Sequence, residues 1–321
     1  MKACVIGVGN MGRHHIRIYS QHPNVNLVGV CDRDQKLGSY YSSKYKTRYY
    51  GDYLKMLDEE RPDVLSLATP TSTHNVIGKQ VLDRGIHLLV EKPIADNIND
   101  AMELIDIAEQ NDLILLVGHL ERYNPGLRKL KDLIDDNYFG RITSMQFQRV
   151  GIVPPQIKDT NVVIDLAIHD IDLSNYIMGS LPDNVTAYLN NTLLKNRYDS
   201  SDILMSYNKT SSYLQSNWIT PVKIRNLSVT GEKGYAKLNL ITQNIALYES
   251  IIESEIDDYG DYIVKFQEPK FSVIKSNGKE PLALEIDNFI EAANQKEKLR
   301  VDPKDAVAAL SIASEIINSN K

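Results

Sequence analysis

The sequence predicts an α/β protein in two parts: a doubly wound parallel sheet over the first third, then an α/β domain with a large, mostly antiparallel open sheet. Three observations carry this. Short apolar runs, ACVIG, VNLVGVCD, DVLSLAT, IHLLVEK and LILLVG, alternate with helix-length segments before Tyr123. Near-continuous apolar strands separated by helices are what a parallel sheet covered on both faces requires. A glycine cluster, GVGNMG, follows the first run at once. After Tyr123 the alternation gives way to long stretches of period-two patterning.

In order, helices are expected from Met11 to Gln21, Thr73 to Arg84 and Asn99 to Asn111, with Asn97 or Asn99 capping the last. A helix from Pro125 to Asp136 opens the second part, its proline preset for the first turn. RITSMQFQRVG reads as a strand, IVPPQIKD as a loop, and Asn161 to Met178 as a helix stopped by Gly179. From Asn184 to Ile274 the strand-like runs NVTAYLNNTLL, SDILMSYN, SSYLQSNWIT, VKIRNLSVTG and YAKLNLITQNIALY follow one another. Short turns between successive strands make neighbours antiparallel. The tail, 303–318, is an amphipathic helix with Ala306, Leu310, Ala313 and Ile317 on one stripe. The predicted domains are 1–122 and 123–321, the tail helix being free to pack back on the first. The tyrosines from Tyr40 to Tyr53 read as a helix and turn surface.

Composition narrows the function. A formal charge of -6, with no basic stripe and interleaved aromatics, argues against nucleic acid as a partner. The apolar runs are too short to span a bilayer, which argues against a membrane. MKACVIGVGN runs straight into glycines with no apolar signal core, so no export is expected. Cys4 and Cys31 lie in strand-like runs and read as buried reduced thiols of a cytoplasmic protein.

GVGNMG places Gly7, Gly9 and Gly12 between a strand and a helix. The first allows a tight turn and the second a close approach of pyrophosphate. The third lets the helix pack tightly, so that its N-terminal amides face the phosphates. Asn10 and Met11 complete the loop, and Asp32 ends the next strand twenty residues past Gly12. A carboxylate there bonds the adenine-ribose hydroxyls, which is the Rossmann arrangement. Asp32 favours NAD, since a 2′-phosphate would meet its charge; Arg33 beside it leaves NADP open. ATPTSTH ends another strand and brings Thr69, Pro70 and His74 to the ligand edge of the sheet. His74 stands there either at the ligand or simply in a first helical turn.

VEKPIA, which holds Glu91 and Lys92, closes a further strand at the same edge. A lysine running out of a buried strand holds its ammonium in poorly solvated surroundings, where it stabilises a developing alkoxide. The alternative is a surface lysine in a salt bridge. Asp165 and His169 are four apart on one helix face. A carboxylate one turn from an imidazole fixes its tautomer and suits a general base, although spacing alone favours a plain intrahelical hydrogen bond. Asp172 extends the set to Asp-His-Asp, but no second histidine or cysteine completes a metal site, and none is predicted. His14, His15, His22 and His87 have no such partner in the sequence and read as structural. Lys223 and Arg225 alternate on a strand, and Arg149 and Lys158 lie near the loop before the helix of His169. Such cations suit a diphosphate, or else a solvated or subunit-facing sheet surface.

GVGNMG, ATPTSTH, EKP with its following helix, GHLERYNP and DLAIHDID occur in the order of the glucose–fructose oxidoreductase and inositol dehydrogenase family, Gfo/Idh/MocA. The chain resembles that family over nearly its whole length. The resemblance implies a Rossmann domain followed by an α/β domain whose open sheet serves self-association, as a dimer or tetramer. It implies that Lys92 is the EKP lysine and that Asp165 and His169 are the acid–base pair. It also implies that Leu120, Glu121 and Tyr123 border substrate and nicotinamide. Inositol dehydrogenases carry an arginine where this chain has Glu121, which counts against an inositol. GHLERYNP, RVGIVPPQIKD, VVIDLAIHDID and SNWITPVKIRNLSVTGEKGYA are similar to the UDP-N-acetylglucosamine 3-dehydrogenase branch. The expectation is an NAD-dependent dehydrogenase of a sugar ring hydroxyl, with a nucleotide sugar ahead of a free sugar, inositol or other polyol. A non-catalytic NAD(P)-binding regulator is the alternative of another class, and retention of Lys92, Asp165 and His169 argues against it.

Overall fold

The computed structural model describes residues 1–152, 160–249, 252–256, 262–266, 268–276 and 278–320. Its first elements are β1 (Lys2–Ile6), α1 (Gly12–Gln21), β2 (Asn26–Cys31), α2 (Gln35–Tyr45), β3 (Arg48–Tyr50), α3 (Tyr53–Glu60), β4 (Val64–Leu67), α4 (His74–Leu82), β5 (His87–Val90), α5 (Ile98–Gln110) and β6 (Leu115–Val117). A 3₁₀ turn, Leu120–Tyr123, leads to α6 (Pro125–Asp135), β7 (Ile142–Val150), α7 (Ile168–Met178), β8 (Asn184–Asn190), β9 (Ser200–Tyr207) and β10 (Thr210–Asn217). The chain continues through β11 (Ile224–Gly231), β12 (Gly234–Asn239), β13 (Ile245–Glu249), β14 (Ile252–Ile256), β15 (Tyr262–Phe266), β16 (Lys270–Ile274), α8 (Pro281–Ala293) and α9 (Pro303–Ser319).

Helix starts follow local chemistry. Asp34, Asn97 and Asn124 cap α2, α5 and α6 with side-chain oxygens, and Pro125 opens α6. Several stretches depart from the sequence reading, among them α8, which lies where no element was read. α2, β3 and α3 fill the interval read only as a tyrosine-rich helix and turn surface. There Tyr41 and Tyr45, one turn apart, pack with Leu37 against the core, while Tyr40 stays exposed. The helix read as continuous over 161–178 begins instead with a π turn, Val163–Ala167, before α7.

The chain divides into two compact units, Met1–Tyr123 with Glu280–Ser311, and Asn124–Lys279 with Ile312–Lys321. In the first, a six-stranded parallel sheet has the order β3-β2-β1-β4-β5-β6. Its core includes Val5, Ile16, Tyr19, Leu89, Leu116 and Phe289. In the second, an eight-stranded sheet runs β16-β13-β12-β11-β7-β10-β9-β8, with only the β7–β10 pair parallel. α6 lies against β12, and α7 against β7 and β10. Period-two alternation aligns Leu214, Phe147, Leu227 and Leu238 on one buried face across β10, β7, β11 and β12. The opposite face exposes Tyr188, Leu204, Phe271 and Val273.

Among the polar residues buried in the first unit, one acid stands apart. Glu285 on α8 is 0% exposed, and neither carboxyl oxygen has a hydrogen-bond partner among the described residues. Burial, then the charge of Glu91, pushes its carboxyl well above the usual 4.5. The group is therefore protonated when folded and ionises near 4.5 when unfolded. Folding binds a proton, so this group's contribution to stability falls as pH rises above that value. Glu285→Gln removes the titration. Its Tm advantage over the unsubstituted protein should widen between about pH 4 and about pH 8; a constant difference would mean that Glu285 is ionised in the fold.

Candidate active site

In the first unit the parallel register aligns Ile6, Leu67, Val90 and Val117 as the last residues of adjacent strands. The next amides continue the row: Ala68 N–H donates to Ile6 O at 2.8 Å, Glu91 N–H to Leu67 O at 3.0 Å, and Gly118 N–H to Val90 O at 2.8 Å. The glycine loop, the segment holding Thr69 and Pro70, the Glu91-Lys92 pair and the turn holding Glu121 thus all leave the sheet from one edge. β1 lies between β2 and β4, so the chain order reverses beside the glycine loop, which is where open α/β sheets bind ligands.

The loop is shaped for a dinucleotide. Gly7 has φ +86, and a Cβ on it would stand 2.5 Å from Ala68 O. A Cβ on Gly12 would stand 1.7 Å from Gly7 O, so α1 can approach the loop only without one. α1 begins with no side-chain cap and no acid in its first turn, which keeps its N-terminal end suited to an anion. Asp32 ties in from the next strand: Oδ2 accepts from Val8 N–H at 2.8 Å and Oδ1 from Asp34 N–H at 2.8 Å. A carboxylate oxygen accepts two bonds, so capacity remains for ribose hydroxyls. Asn10 and Arg33 are exposed, and Gly9, Met11, Thr69 and Lys92 are half-buried. These residues fit NAD: pyrophosphate at the loop and α1, adenosine ribose at Asp32.

Three sequence candidates turn inward. His74 is 1% exposed; its Nδ1 lies 2.9 Å from Pro93 O and its Nε2 2.9 Å from Thr69 O. Both ring nitrogens thus face backbone carbonyls, and as a neutral ring His74 donates its one N–H to one of them. Burial holds its imidazole below the usual range, against the raising effect of the two carbonyls. Glu91 is equally hidden, with Oε1 accepting from His15 Nε2 at 2.9 Å. His15, read as lacking a partner, therefore has one 76 residues away. Tyr123 is 0% exposed and donates its hydroxyl to Asn288 Oδ1 at 2.9 Å, within the core rather than along a substrate surface. Glu121 stays half-buried at the sheet edge.

In the second unit, Asp165 sits in the π turn and His169 in the first turn of α7, both half-buried. π turns inside helices recur at functional positions. Asp165 Oδ2 accepts from Trp218 Nε1 at 3.3 Å, a partner that a lone tryptophan in the sequence did not announce. Arg149, expected to meet a diphosphate, is 5% exposed, and its Nε and Nη2 lie 2.9 and 2.8 Å from Asp170 Oδ1. Its charge serves the packing of β7 on α7. Asp170 stands next to His169 in IHDID, but spacing could not say which way it points. Arg225 pairs directly across the strands with Arg149, and its Nη1 donates to Val150 O at 2.6 Å and Ile224 O at 2.8 Å. Lys223 is exposed just before β11. Lys158 lies outside the described residues. Among the described residues, no three His, Cys, Asp or Glu side chains group as a metal site would.

Compared with known proteins, residues 1–119 match an oxidoreductase family with an NAD-binding Rossmann fold, and residues 127–237 match the GFO/IDH/MocA C-terminal domain. The UDP-N-acetylglucosamine 3-dehydrogenase of Acidithiobacillus ferrooxidans is 27% identical over 249 residues, 77% of each chain. The scyllo-inositol 2-dehydrogenase (NAD(+)) of Bacillus subtilis is 24% identical over 311 residues, 90% of each. A solved structure of UDP-N-acetylglucosamine 3-dehydrogenase from Acidithiobacillus ferrooxidans superimposes with a TM-score of 0.85 at 24% identity, covering 98% of this chain and 96% of that one. The WlbA dehydrogenase from Bordetella pertussis, in complex with NADH and UDP-GlcNAcA, gives 0.81 at 20% identity, covering 100% and 96%.

The Arg149–Asp170 pair yields a test of the site's scaffold. Asp170→Ala takes a carboxylate from a buried guanidinium and should lower stability by about 3–5 kcal/mol in urea denaturation. The double variant Arg149→Met/Asp170→Leu should recover most of that loss, because it removes both charges.

Proposed function

Because the chain belongs to the Gfo/Idh/MocA family of NAD-dependent oxidoreductases acting on CH–OH groups, we propose that it oxidises a ring hydroxyl of a sugar carried on a nucleoside diphosphate, as in UDP-N-acetylglucosamine. The observation that carries this reading is Arg225, next to the ion-paired Arg149 on the face of the sheet that bears α7 and His169, with Lys223 exposed just before β11. Arg225 adds a second cation to that face, and Asp170 answers the charge of Arg149. A neutral polyol has no use for such positive charge, whereas a diphosphate does. The 27% identity to a protein named UDP-N-acetylglucosamine 3-dehydrogenase supports the same substrate class.

Bound NAD supplies the hydride acceptor. Asp32 and the glycine loop hold it, with Asp32 choosing it over NADP. His169 takes the proton of the reacting hydroxyl. Asp165, its carboxylate steadied by the indole of Trp218, orients that imidazole. Lys92 stabilises the oxygen as negative charge develops on it. Arg225 and Lys223 hold the diphosphate away from the reacting carbon, which spends binding energy on placing the ring. Self-association fits the open face of the second sheet, where Tyr235, Tyr248 and Phe271 form an aromatic patch with centroids 5.7 and 5.1 Å apart. The two cysteines are buried and free, and no helix among the described residues is long and apolar enough to cross a membrane; a cytoplasmic setting accords with both.

Absorbance of NADH, followed with UDP-sugars, free sugars and inositols, tests the reading. UDP-N-acetylglucosamine should be oxidised and free N-acetylglucosamine far less well; equal activity on an uncharged polyol would sink the nucleotide-sugar assignment. Lys92→Met and His169→Ala should each lower kcat by about a hundredfold or more with NAD binding retained. Arg225→Ala should raise KM for the nucleotide sugar by about tenfold and leave KM for a free sugar unchanged. Asp32→Ala should move the ratio of kcat/KM values toward NADP.

A further inference from the structure

Lys92 has a buried histidine on each side of it along the chain. Before it, Glu91 Oε1 lies 2.9 Å from His15 Nε2. After it, Pro93 O lies 2.9 Å from His74 Nδ1. His15, Glu91 and His74 are 0%, 7% and 1% exposed. Each histidine also reaches a neighbouring strand or loop: His15 Nδ1 is 3.0 Å from Ser66 Oγ, and His74 Nε2 is 2.9 Å from Thr69 O. Ser66 Oγ is in turn 2.8 Å from the Tyr19 hydroxyl.

One proton arrangement satisfies the whole His15 chain with a neutral ring. Tyr19 O–H donates to Ser66, Ser66 O–H donates to His15 Nδ1, and His15 Nε2–H donates to Glu91. Glu91 is then the carboxylate. Burial alone would push its carboxyl up, but the bond from His15 and the charges around it, Lys92 among them, hold it below the usual range. A buried carboxylate with a single imidazole partner is strongly fixed in place, because losing that partner strands the charge.

The connections join the parts of the site that must agree. His15 lies one turn into α1, the helix that follows the glycine loop; Ser66 is in β4, and Glu91 directly follows β5. His74 stands between the segment after β4 and the segment after β5, within 2.9 Å of a carbonyl oxygen of each, and donates its N–H to one of them. Lysine has a flexible four-carbon stem, so the placing of its ammonium begins with the backbone beneath it. Displacement of a reacting group by about 1 Å costs about a hundredfold in rate.

We propose that His15, Glu91 and His74 are positioning residues of Lys92: they grip the chain on both sides of it and, through His15, register it against the glycine-loop helix. The proposal rests on the role given to Lys92 above and adds residues that act through it.

The test uses the full chain, with and without NAD. Turnover is measured for His15→Ala, Glu91→Ala, the double variant and Glu91→Gln. In the cofactor-free proteins, acetylation of Lys92 by acetic anhydride is followed by peptide mass spectrometry, with exposed Lys296 as the internal control. Both alanine variants should lower kcat about tenfold to a hundredfold, with substrate KM held within about threefold. The double variant should be no worse than the poorer single, since one unit has been broken twice. Glu91→Gln keeps an acceptor for His15 and should recover kcat to within about fivefold of the parent. In His15→Ala, which leaves the charge of Glu91 in place, Lys92 should acetylate several-fold faster relative to Lys296, because the backbone that holds it is released, while in Glu91→Gln it should stay close to the parent. Should the alanine variants not fold, Glu91→Gln decides: a kcat lowered as far as in Lys92→Met would overturn the proposal. Unchanged kcat and unchanged Lys92 acetylation, with only Tm lowered, would overturn the proposal and leave the network structural. Normal turnover in Lys92→Met would instead remove Lys92 from the mechanism; the labelling, which needs no activity, would still report on the grip.

Discussion

Parallel pairing sends every strand of the first sheet out at the same edge, and the register brings Ile6, Leu67, Val90 and Val117 level there. The chemistry of the first unit depends on that row. It gathers residues far apart in the chain into adjacent loops without any loop being long. It also crowds the loops, and the crowding selects glycine at Gly7 and Gly12, where a Cβ would stand 2.5 Å from Ala68 O and 1.7 Å from Gly7 O. With those atoms missing, α1 comes down onto the sheet. The same closeness that admits a pyrophosphate brings His15 within hydrogen-bonding distance of Ser66 and Glu91.

The core of the first unit holds two carboxyl groups with opposite fates. Glu91 has an imidazole and keeps its charge, while Glu285 has no hydrogen-bond partner among the described residues and keeps its proton. Each choice supports the other: the charge on Glu91 is one reason why Glu285 stays neutral. A buried carboxyl is tolerated either bonded and charged or unbonded and neutral.

In the second unit the helix of His169 is fixed from beneath. Arg149 rises from β7 to Asp170, and Trp218, just past β10, meets Asp165. A buried ion pair adds little net stability, but it discriminates against a helix that slides or rotates, because either motion would strand both charges. The π turn belongs to the same device. It changes the spacing just before α7, in the turn that holds Asp165 within reach of Trp218.

The sequence by itself determined the alternation of strands and helices, the glycine loop with Asp32, the capped start of α5 and the proline start of α6, and the period-two faces of the second sheet. All of these are written in residues within a turn or a strand of one another, where backbone geometry sets the spacing. It did not determine α2, β3 and α3: β3 has only three residues, and the tyrosines of α2 that pack inward look like those that do not. Nor did it determine what the polar candidates touch. Tyr123 turns to Asn288, Arg149 to Asp170, His74 to two carbonyls, and His15 to Glu91, because the sheet order β3-β2-β1-β4-β5-β6 and the packing of helices on it decide which distant residues become neighbours. A local pattern states which residues are able to bond. Only the tertiary structure assigns their partners, since a buried polar group must take one from whatever the fold brings within about 3 Å.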